Sequence, residues 1–250
     1  MPHDFLPRPE PVQSIGDALF LDFDGTLAPL VQRPGDTILA ISVRRALIRL
    51  RRLLAGRIAI VSGRSVAVID RMVAIDGLPV AGIHGLERRS ANGIMTRVKA
   101  SDGIAAARIA FGALVTRLPQ LLLEDKGPSL ALHYRMAPDL APIAREAAEA
   151  AADRHGLSLL TGKMVVEVHE PGPDKGAAVR AYMAEPPFEG ARPIYVGDDA
   201  TDESAFEAVA ALGGFGVLVG LPRSTAAQFR LADAQDVEAW LSAADMANAA

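Results

Sequence analysis

An apolar stretch, Leu19-Phe20-Leu21, runs directly into the sequence Asp22-Phe23-Asp24-Gly25-Thr26. Residues 18–23 are apolar except at Asp22, which is typical of a strand buried on both faces of a parallel sheet. The two carboxylates then lie at the carboxyl end of that strand, where open α/β sheets bind their ligands. A simple Asp-Gly turn is the alternative, but D-x-D-G-T after a buried strand is more specific.

The spacing of these acids has a chemical consequence. Two carboxylates so close together repel each other unless a divalent cation shares them, which leaves one free to attack and the other to move protons. Gly25 permits a sharp turn, and we expect it to leave backbone N–H groups open to an anion. The stretch therefore predicts a site for a metal and an anionic substrate.

A second apolar strand, predicted over residues 57–61, ends in Ser62-Gly63-Arg64. Apolar residues at helical spacing over 42–55 predict the helix that joins it to the first strand, with Gly56 as its stop. Because strand–helix–strand crossovers are right-handed, Ser62 is expected at the same sheet edge as Asp22.

Acids and a lysine follow near the other end of the chain. The strand predicted over 193–196 ends in Gly197-Asp198-Asp199-Ala200-Thr201-Asp202, and Lys175 opens a helix predicted to about residue 184. Acids, a serine and a lysine at one edge suit a phosphate bridged to a hard cation. Oxygen ligands without histidine favour Mg²⁺ over zinc. Two other interpretations of the acidic segment are weaker. An EF-hand needs a glycine in mid-loop and a glutamate at the twelfth position, and neither is present. A solvated helix start, with acids favoured by the helix dipole, does not explain the polar residues at the ends of the other two strands.

Between these segments the pattern changes to short strands in pairs, separated by Ala-rich helices. The predicted hairpins pair residues 121–126 with 129–135 and 157–160 with 164–169, and the helices cover 101–118 and 138–155. This pattern predicts an antiparallel sheet with helices on one face. We expect a core in two parts, residues 1–85 and 172–250, with an inserted α/β domain over 86–171.

Strand alternation gives the inserted sheet one apolar and one charged face. Glu124 and Lys126 share a face, and Glu167 lies opposite Met164, Val166 and Val168. The charged face is either simply solvated or suited to a polyhydroxylated sugar, whose hydroxyls both donate and accept hydrogen bonds.

Composition excludes several classes of function. The net charge is −4, so the chain has no excess of positive charge with which to bind nucleic acid. Cysteine is absent, which excludes thiolate catalysis and disulfides. No apolar run reaches the roughly 18–20 residues of a transmembrane helix. We expect a cytoplasmic protein without a membrane or nucleic-acid partner, compatible with a monomer, whose Ala-rich tail from Ala243 frays.

The segments DFDGT, SGR, DKG and GDDATD, in this order, resemble the four motifs of the haloacid dehalogenase-like phosphatases. The resemblance implies a Rossmann-like parallel-sheet core with an inserted C2-type α/β cap, and catalysis through an aspartyl-phosphate. It implies Asp22 as nucleophile, Asp24 as general acid and base, and Ser62 and Lys175 as phosphate-binding groups. The implied Mg²⁺ site is Asp22, Asp24, Asp198 and Asp199, with Asp199 and Asp202 ordering metal-bound waters or Lys175. Further implied substrate-binding residues are Thr26, Gly63, Arg64 and His84.

Three more segments resemble the trehalose-6-phosphate phosphatase family in particular. They are G-x-H-G at 82–85, E-D-K followed by S-x-x-x-H-Y-R over 124–135, and G-K-x-V-x-E at 162–167. The resemblance implies hydrolysis of trehalose 6-phosphate in trehalose biosynthesis, with Glu124, Lys126 and Glu167 binding the sugar. After that Glu the family usually reads Val/Ile-Arg-Pro, whereas this chain has Val168-His169-Glu170-Pro171, which puts the local contacts in question.

Other functions remain open at this point. The same fold would serve a phosphatase for sucrose phosphate, mannosylglycerate phosphate or a hexose phosphate, or a hexose phosphate mutase. A non-catalytic sugar-phosphate sensor is another class, although a sensor has no need of Asp24. A regulatory partner of a synthase is a third.

Overall fold

The computed structural model describes residues 6–12 and 16–244, without the side chain of Pro34. The contacts divide the chain into two compact units, one running to Thr96 and resuming at Pro173, the other covering Arg97–Gly172. The strands of the first unit are β1 (Asp17–Leu21), β2 (Ile58–Val61), β3 (Val80–Gly82), β4 (Glu87–Arg89), β5 (Met95–Arg97, reaching the boundary), β10 (Arg192–Gly197), β11 (Phe215–Val219) and β12 (Phe229–Leu231). Its helices are α1 (Ile41–Leu53), α2 (Val66–Val73), α5 (Lys175–Met183), α6 (Glu203–Ala211) and α7 (Ala234–Ala243).

The first unit is built on one sheet in the order β12-β11-β10-β1-β2-β3-β4-β5. The strands from β12 to β3 are parallel, and β4 is antiparallel to β3. Alternate residues of β1 enter different clusters: Leu19 and Leu21 pack in one, and Ala18 and Phe20 in the other. Because β1 is buried on both faces, residues 18–21 are apolar, and the acids Asp22 and Asp24 follow its carboxyl end.

The register brings the ends of three strands together. Leu21 pairs with Ile60 of β2 on one side and with Val196 of β10 on the other. The Asp22 N–H continues the ladder by donating to the Val196 carbonyl at 2.9 Å. The residues that follow β1, β2 and β10 therefore share one edge of the sheet, as predicted.

The second unit has an antiparallel sheet in the order β6-β7-β9-β8. Its strands are β6 (Leu122–Asp125), β7 (Ser129–His133), β8 (Ser158–Gly162) and β9 (Val165–His169), and its helices are α3 (Asp102–Arg117) and α4 (Ala141–His155). Both predicted hairpins are present. Helix residues such as Ile104 and Ala148 pack on Leu130, Leu132 and Val166 from one face of the sheet.

The boundary of the second unit differs from the predicted range of 86–171. Residues Glu87–Arg89 pair with Val80–Gly82 and extend the core sheet, so the contacts place the boundary near Arg97. That strand is only three residues long and partly buried throughout, which leaves no clear period in the sequence. Helix α6 and strand β12 were likewise not among the predicted elements. The assignment of this unit as a cap stays a prediction.

Residues 6–12 lie along the first unit, which is called the core unit below. The Arg230 N–H donates to the Pro7 carbonyl and the Trp240 indole N–H donates to the Glu10 carbonyl, each at 2.9 Å. Val12 is fully buried. The fraying predicted for the tail falls largely on residues beyond Ala244, outside the described part. Among the described helices, none is both long and apolar enough to cross a membrane.

Candidate active site

A buried lysine joins two carboxylates at the edge of the core sheet. Lys175 Nζ donates to Asp22 Oδ1 at 2.8 Å and to Asp202 Oδ1 at 2.6 Å, and all three residues are buried. Asp174 caps helix α5 by accepting from the Ala177 N–H at 2.7 Å, which sets Lys175 at the first position of the helix. Burial opposes charge on Lys175, but the attraction of Asp202 and Asp22 outweighs it and raises the pKa of Lys175. The lysine is a fixed cation.

Asp202 is held by donors on both carboxylate oxygens. Its Oδ1 also accepts from the Tyr195 hydroxyl at 2.7 Å, and its Oδ2 accepts from the Asp199 N–H at 2.9 Å. Burial opposes its ionisation, yet Lys175 and these donors together lower the pKa of Asp202. Gly197 leaves room for this carboxyl, because a Cβ there would lie 2.4 Å from Asp202 Cγ. Asp202 thus orders Lys175, one of the two roles expected of it.

Three buried acids lie close enough to share a cation. Carboxylate oxygens of Asp22, Asp198 and Asp202 all lie within 4.8 Å of one another. Burial raises the pKa of Asp22 well above its usual value, Lys175 opposes this rise, and Asp202 and Asp198 add to it. A cation at this point would restore the ionised form of Asp22. An oxygen-only donor set fits a hard divalent metal.

Two residues of the expected metal set lie elsewhere. The Asp199 side chain accepts from the Ala200 N–H at 2.8 Å and starts the short helical turn Ala200–Asp202. The Asp24 carboxylate pairs with Arg64. Their contact with a metal therefore stays a prediction, and the described acids that approach each other are Asp22, Asp198 and Asp202.

Asp24 forms a two-point ion pair with Arg64. Arg64 Nε donates to Asp24 Oδ2 at 2.6 Å, and Nη2 donates to Asp24 Oδ1 at 2.7 Å. Nη2 also donates to Thr37 Oγ1 at 2.8 Å. The Arg64 side chain is 9% exposed and that of Asp24 31%. No motif or periodic pattern in the sequence points to Thr37.

Gly25 provides space for Asp198. Its φ is +84°, and a Cβ on it would lie 2.3 Å from Asp198 Oδ2. The Gly25 N–H itself donates to the Ala28 carbonyl at 2.7 Å and closes the turn, so it is not one of the N–H groups expected to stay open to an anion. The glycine is needed for the turn and for the close approach of Asp198.

Three of the remaining predicted core residues, Ser62, Gly63 and His84, lie around the end of β2. Ser62 is buried, and its Oγ accepts from the Arg64 N–H at 3.1 Å. The His84 ring lies against Gly63, where a Cβ would be 2.6 Å from its Cε1 and Nε2 atoms. Thr26 is fully buried, and its Oγ1 has no hydrogen-bond partner among the described residues. The phosphate site expected at these positions stays a prediction.

The charged face of the second unit forms a network. Lys126 Nζ donates to Glu167 Oε2 at 2.7 Å, Ser129 Oγ donates to Glu167 Oε1, and His133 Nε2 lies 2.9 Å from Glu124 Oε2. Burial opposes ionisation of Glu124, but His133 and Lys126 lower its pKa below the ordinary value. Alternation predicted this shared face, and the pairings themselves came only from the structure.

The departure at His169-Glu170 has a structural role. Glu170 is buried, and its Oε1 accepts from the Ser101 N–H at 2.6 Å. Its own N–H donates to the Pro128 carbonyl at 2.9 Å. Ser101 is the N-cap of α3, so Glu170 ties the end of β9 to the start of that helix.

Comparisons with known proteins identify the family of this chain. The family model for trehalose-phosphatase matches residues 20–235. A trehalose-6-phosphate phosphatase of Escherichia coli (strain K12) is 38% identical over 229 residues, covering 90% of this chain and 85% of that protein. A probable trehalose-phosphate phosphatase of Sinorhizobium fredii is 37% identical over 207 residues, covering 82% of this chain and 78% of that protein.

Solved structures show the same architecture. The crystal structure of a trehalose-6-phosphate phosphatase related protein is 30% identical, with a TM-score of 0.77 and coverage of 92% of this chain and 98% of that one. A haloacid dehalogenase-like hydrolase from Bacteroides thetaiotaomicron, 15% identical, has a TM-score of 0.64 over 93% of this chain and 99% of its own, and shows the fold alone. The fold is therefore shared with that haloacid dehalogenase-like hydrolase. The chain itself belongs to the trehalose-phosphatase family, which confirms the family expected from the motifs.

Proposed function

We propose that this chain hydrolyses trehalose 6-phosphate to trehalose and phosphate with Mg²⁺. The observation that carries the proposal is the contact of Lys175 with both Asp22 and Asp202, beside Asp198. It presents a carboxylate nucleophile next to a fixed positive charge, which is what phosphoryl transfer asks of a protein. The similarity to the E. coli and S. fredii proteins supports the substrate.

The reaction takes place in two steps. An Asp22 oxygen attacks phosphorus, the bond from phosphorus to the sugar oxygen breaks, and Asp24 gives its proton to that oxygen. Water then attacks the phosphorus of the aspartyl-phosphate, the bond to Asp22 breaks, and Asp24 takes the proton. Lys175 and Ser62 hold the phosphoryl oxygens.

A divalent cation fits the acidic cluster, and we assign it as Mg²⁺. Asp22 and Asp198 would hold it, with Asp24 and Asp199 as further expected ligands and Asp202 close by. When bound, it neutralises charge on the phosphoryl group. The raised pKa of Asp22 supports the need for a positive charge beyond that of Lys175.

The sugar is assigned to the charged face of the second unit. Glu124, Lys126 and Glu167 offer acceptors and a donor to hydroxyl groups. Each already has a charged or polar partner within the unit, so these side chains are held in place before a sugar binds. Trehalose is the sugar that the family likeness supports.

Phosphate release tests the proposal. Trehalose 6-phosphate, sucrose 6-phosphate, glucose 6-phosphate and mannose phosphates are compared with Mg²⁺ and with chelator. A strong Mg²⁺-dependent preference for trehalose 6-phosphate is expected. Preference for another sugar phosphate would keep the chemistry and refute the sugar assignment. If the protein binds these sugar phosphates but hydrolyses none of them, a sensor or a regulatory partner of a synthase would be favoured.

A further inference from the structure

We propose that Arg64 acts through Asp24 rather than on the phosphate: with Thr37, it is a positioning residue that fixes the plane of the Asp24 carboxyl group. The two parallel contacts, 2.6 and 2.7 Å long, define that plane. Such two-point pairing is specific to a guanidinium, whose planar fork matches a carboxylate. The proposal rests on the proposed phosphatase function.

Arg64 is itself immobilised. Its side chain is 9% exposed, its guanidinium lies 5.7 Å from the centroid of the Phe23 ring, and it donates to Thr37 Oγ1. Its backbone N–H donates to Ser62 Oγ, which fixes the start of its side chain as well. Phe23 stands between the two catalytic acids in sequence, so Arg64 contacts both Asp24 and the segment that carries it.

These contacts occupy two of the three guanidinium nitrogens through which Arg64 could bind a phosphate. Nε and Nη2 both point to Asp24, so a phosphate could engage the same fork only after the pair breaks. The pair uses one lone pair on each Asp24 oxygen and holds the carboxyl group in one plane, so the remaining lone pairs are where a proton would be taken up and passed to the leaving oxygen. A misplacement of about 1 Å in a catalytic group costs roughly 10²-fold in rate.

Leaving-group dependence separates the two roles. A sugar alkoxide leaves poorly and needs the Asp24 proton, whereas p-nitrophenolate is stable as an anion and leaves without one. Rapid-quench single-turnover assays would follow trehalose release from trehalose 6-phosphate and p-nitrophenolate release from p-nitrophenyl phosphate. Release of the leaving group reports the first step alone, before water attacks.

The variants are Arg64→Ala, Arg64→Lys, Asp24→Asn and the double variant Asp24→Asn/Arg64→Ala. For Arg64→Ala we expect the rate of trehalose release to fall by roughly 10²-fold. The rate of p-nitrophenolate release and the KM for p-nitrophenyl phosphate should stay near those of the wild type. Arg64→Lys should follow the same pattern, because a point charge does not fix the plane. The double variant should be no slower than Asp24→Asn. Added guanidinium should partly rescue Arg64→Ala on the sugar substrate.

Arg88 is a matched control. It pairs with Glu185 through Nη1 and Nη2 at 2.8 and 3.3 Å, and lies 4.9 Å from the centroid of the Tyr182 ring. Arg88→Ala therefore removes a similar pair and ring contact from the same unit, and should leave the ratio of the two rates unchanged. If Arg64→Ala does not fold, Arg64→Lys and Thr37→Val carry the test.

Three results would overturn the positioning role. One is an equal loss on both substrates with a raised KM, which would make Arg64 a phosphate ligand. Another is an unchanged rate on both. The third is a double variant much slower than Asp24→Asn. A wild-type protein inactive on both substrates would instead overturn the proposed function, and this inference with it.

Discussion

The close approach of Gly25 to Asp198 gives the sharpest prediction. In Gly25→Ala the new Cβ would lie 2.3 Å from Asp198 Oδ2, and ordinary contact begins near 3.4 Å, so the carboxylate has to retreat by about 1 Å. A shift of that size costs roughly 10²-fold in kcat. It should also raise the Mg²⁺ concentration for half-maximal activity, because Asp198 is a proposed ligand.

The same substitution should lower stability for two reasons. An alanine at a φ of +84° is strained by about 1–2 kcal/mol. Overlap with a packed neighbour adds about 1–3 kcal/mol. We therefore expect a loss of about 2–5 kcal/mol in the free energy of unfolding. Urea unfolding, followed by the fluorescence of Trp240 in the core unit, measures this loss.

Gly93→Ala is the matched control. Gly93 has a φ of +86°, and a Cβ there would have nothing within 4 Å. It should show the backbone strain alone, about 1–2 kcal/mol, and wild-type kcat and Mg²⁺ dependence. The reasoning would be refuted if Gly25→Ala kept wild-type kcat, or if Gly93→Ala lost as much activity.

Further predictions concern the nucleophile, a titrating acid and the end of β9. Asp22→Asn should abolish turnover, and Asp24→Asn should slow it by roughly 10²–10⁴-fold in steady-state phosphate release; turnover retained in the first variant would exclude an aspartyl-phosphate. Because the folded pKa of Glu124 is below its ordinary value of 4.5, its stabilisation is present above that pH and is lost as pH falls through the lowered value. We therefore expect the difference in unfolding free energy, wild type minus Glu124→Gln, to increase as the pH is raised from the lowered pKa to 4.5. A difference that does not change over this range would contradict the prediction. Glu170→Ala should speed hydrogen exchange of the Ser101 amide while the helix α4 amides stay unchanged; equal exchange in both proteins would remove the proposed tie.

Much of the fold could be predicted because its signals are local. The uninterrupted apolar run of β1 marks a strand buried on both faces, and alternation marks the hairpins of the second unit. The motif residues Asp22, Ser62 and Asp198 follow strands whose parallel pairing places them at one edge. The three-residue strand Glu87–Arg89 and strand β12 are too short for a hydrophobic period to appear in the sequence. They are recognised as strands only by their pairing with β3 and β11.

The sequence by itself determined which groups we propose for the chemistry: two acids after a buried strand, a serine, a lysine and a late acidic cluster. Only the tertiary structure decided how these groups pair. Arg64 meets Asp24 across 40 positions and Lys175 meets Asp22 across 153, and neither spacing has a local period. The reason is physical: side-chain direction and separation at a sheet edge depend on register and on the packing of neighbouring turns, which residues distant in sequence jointly set.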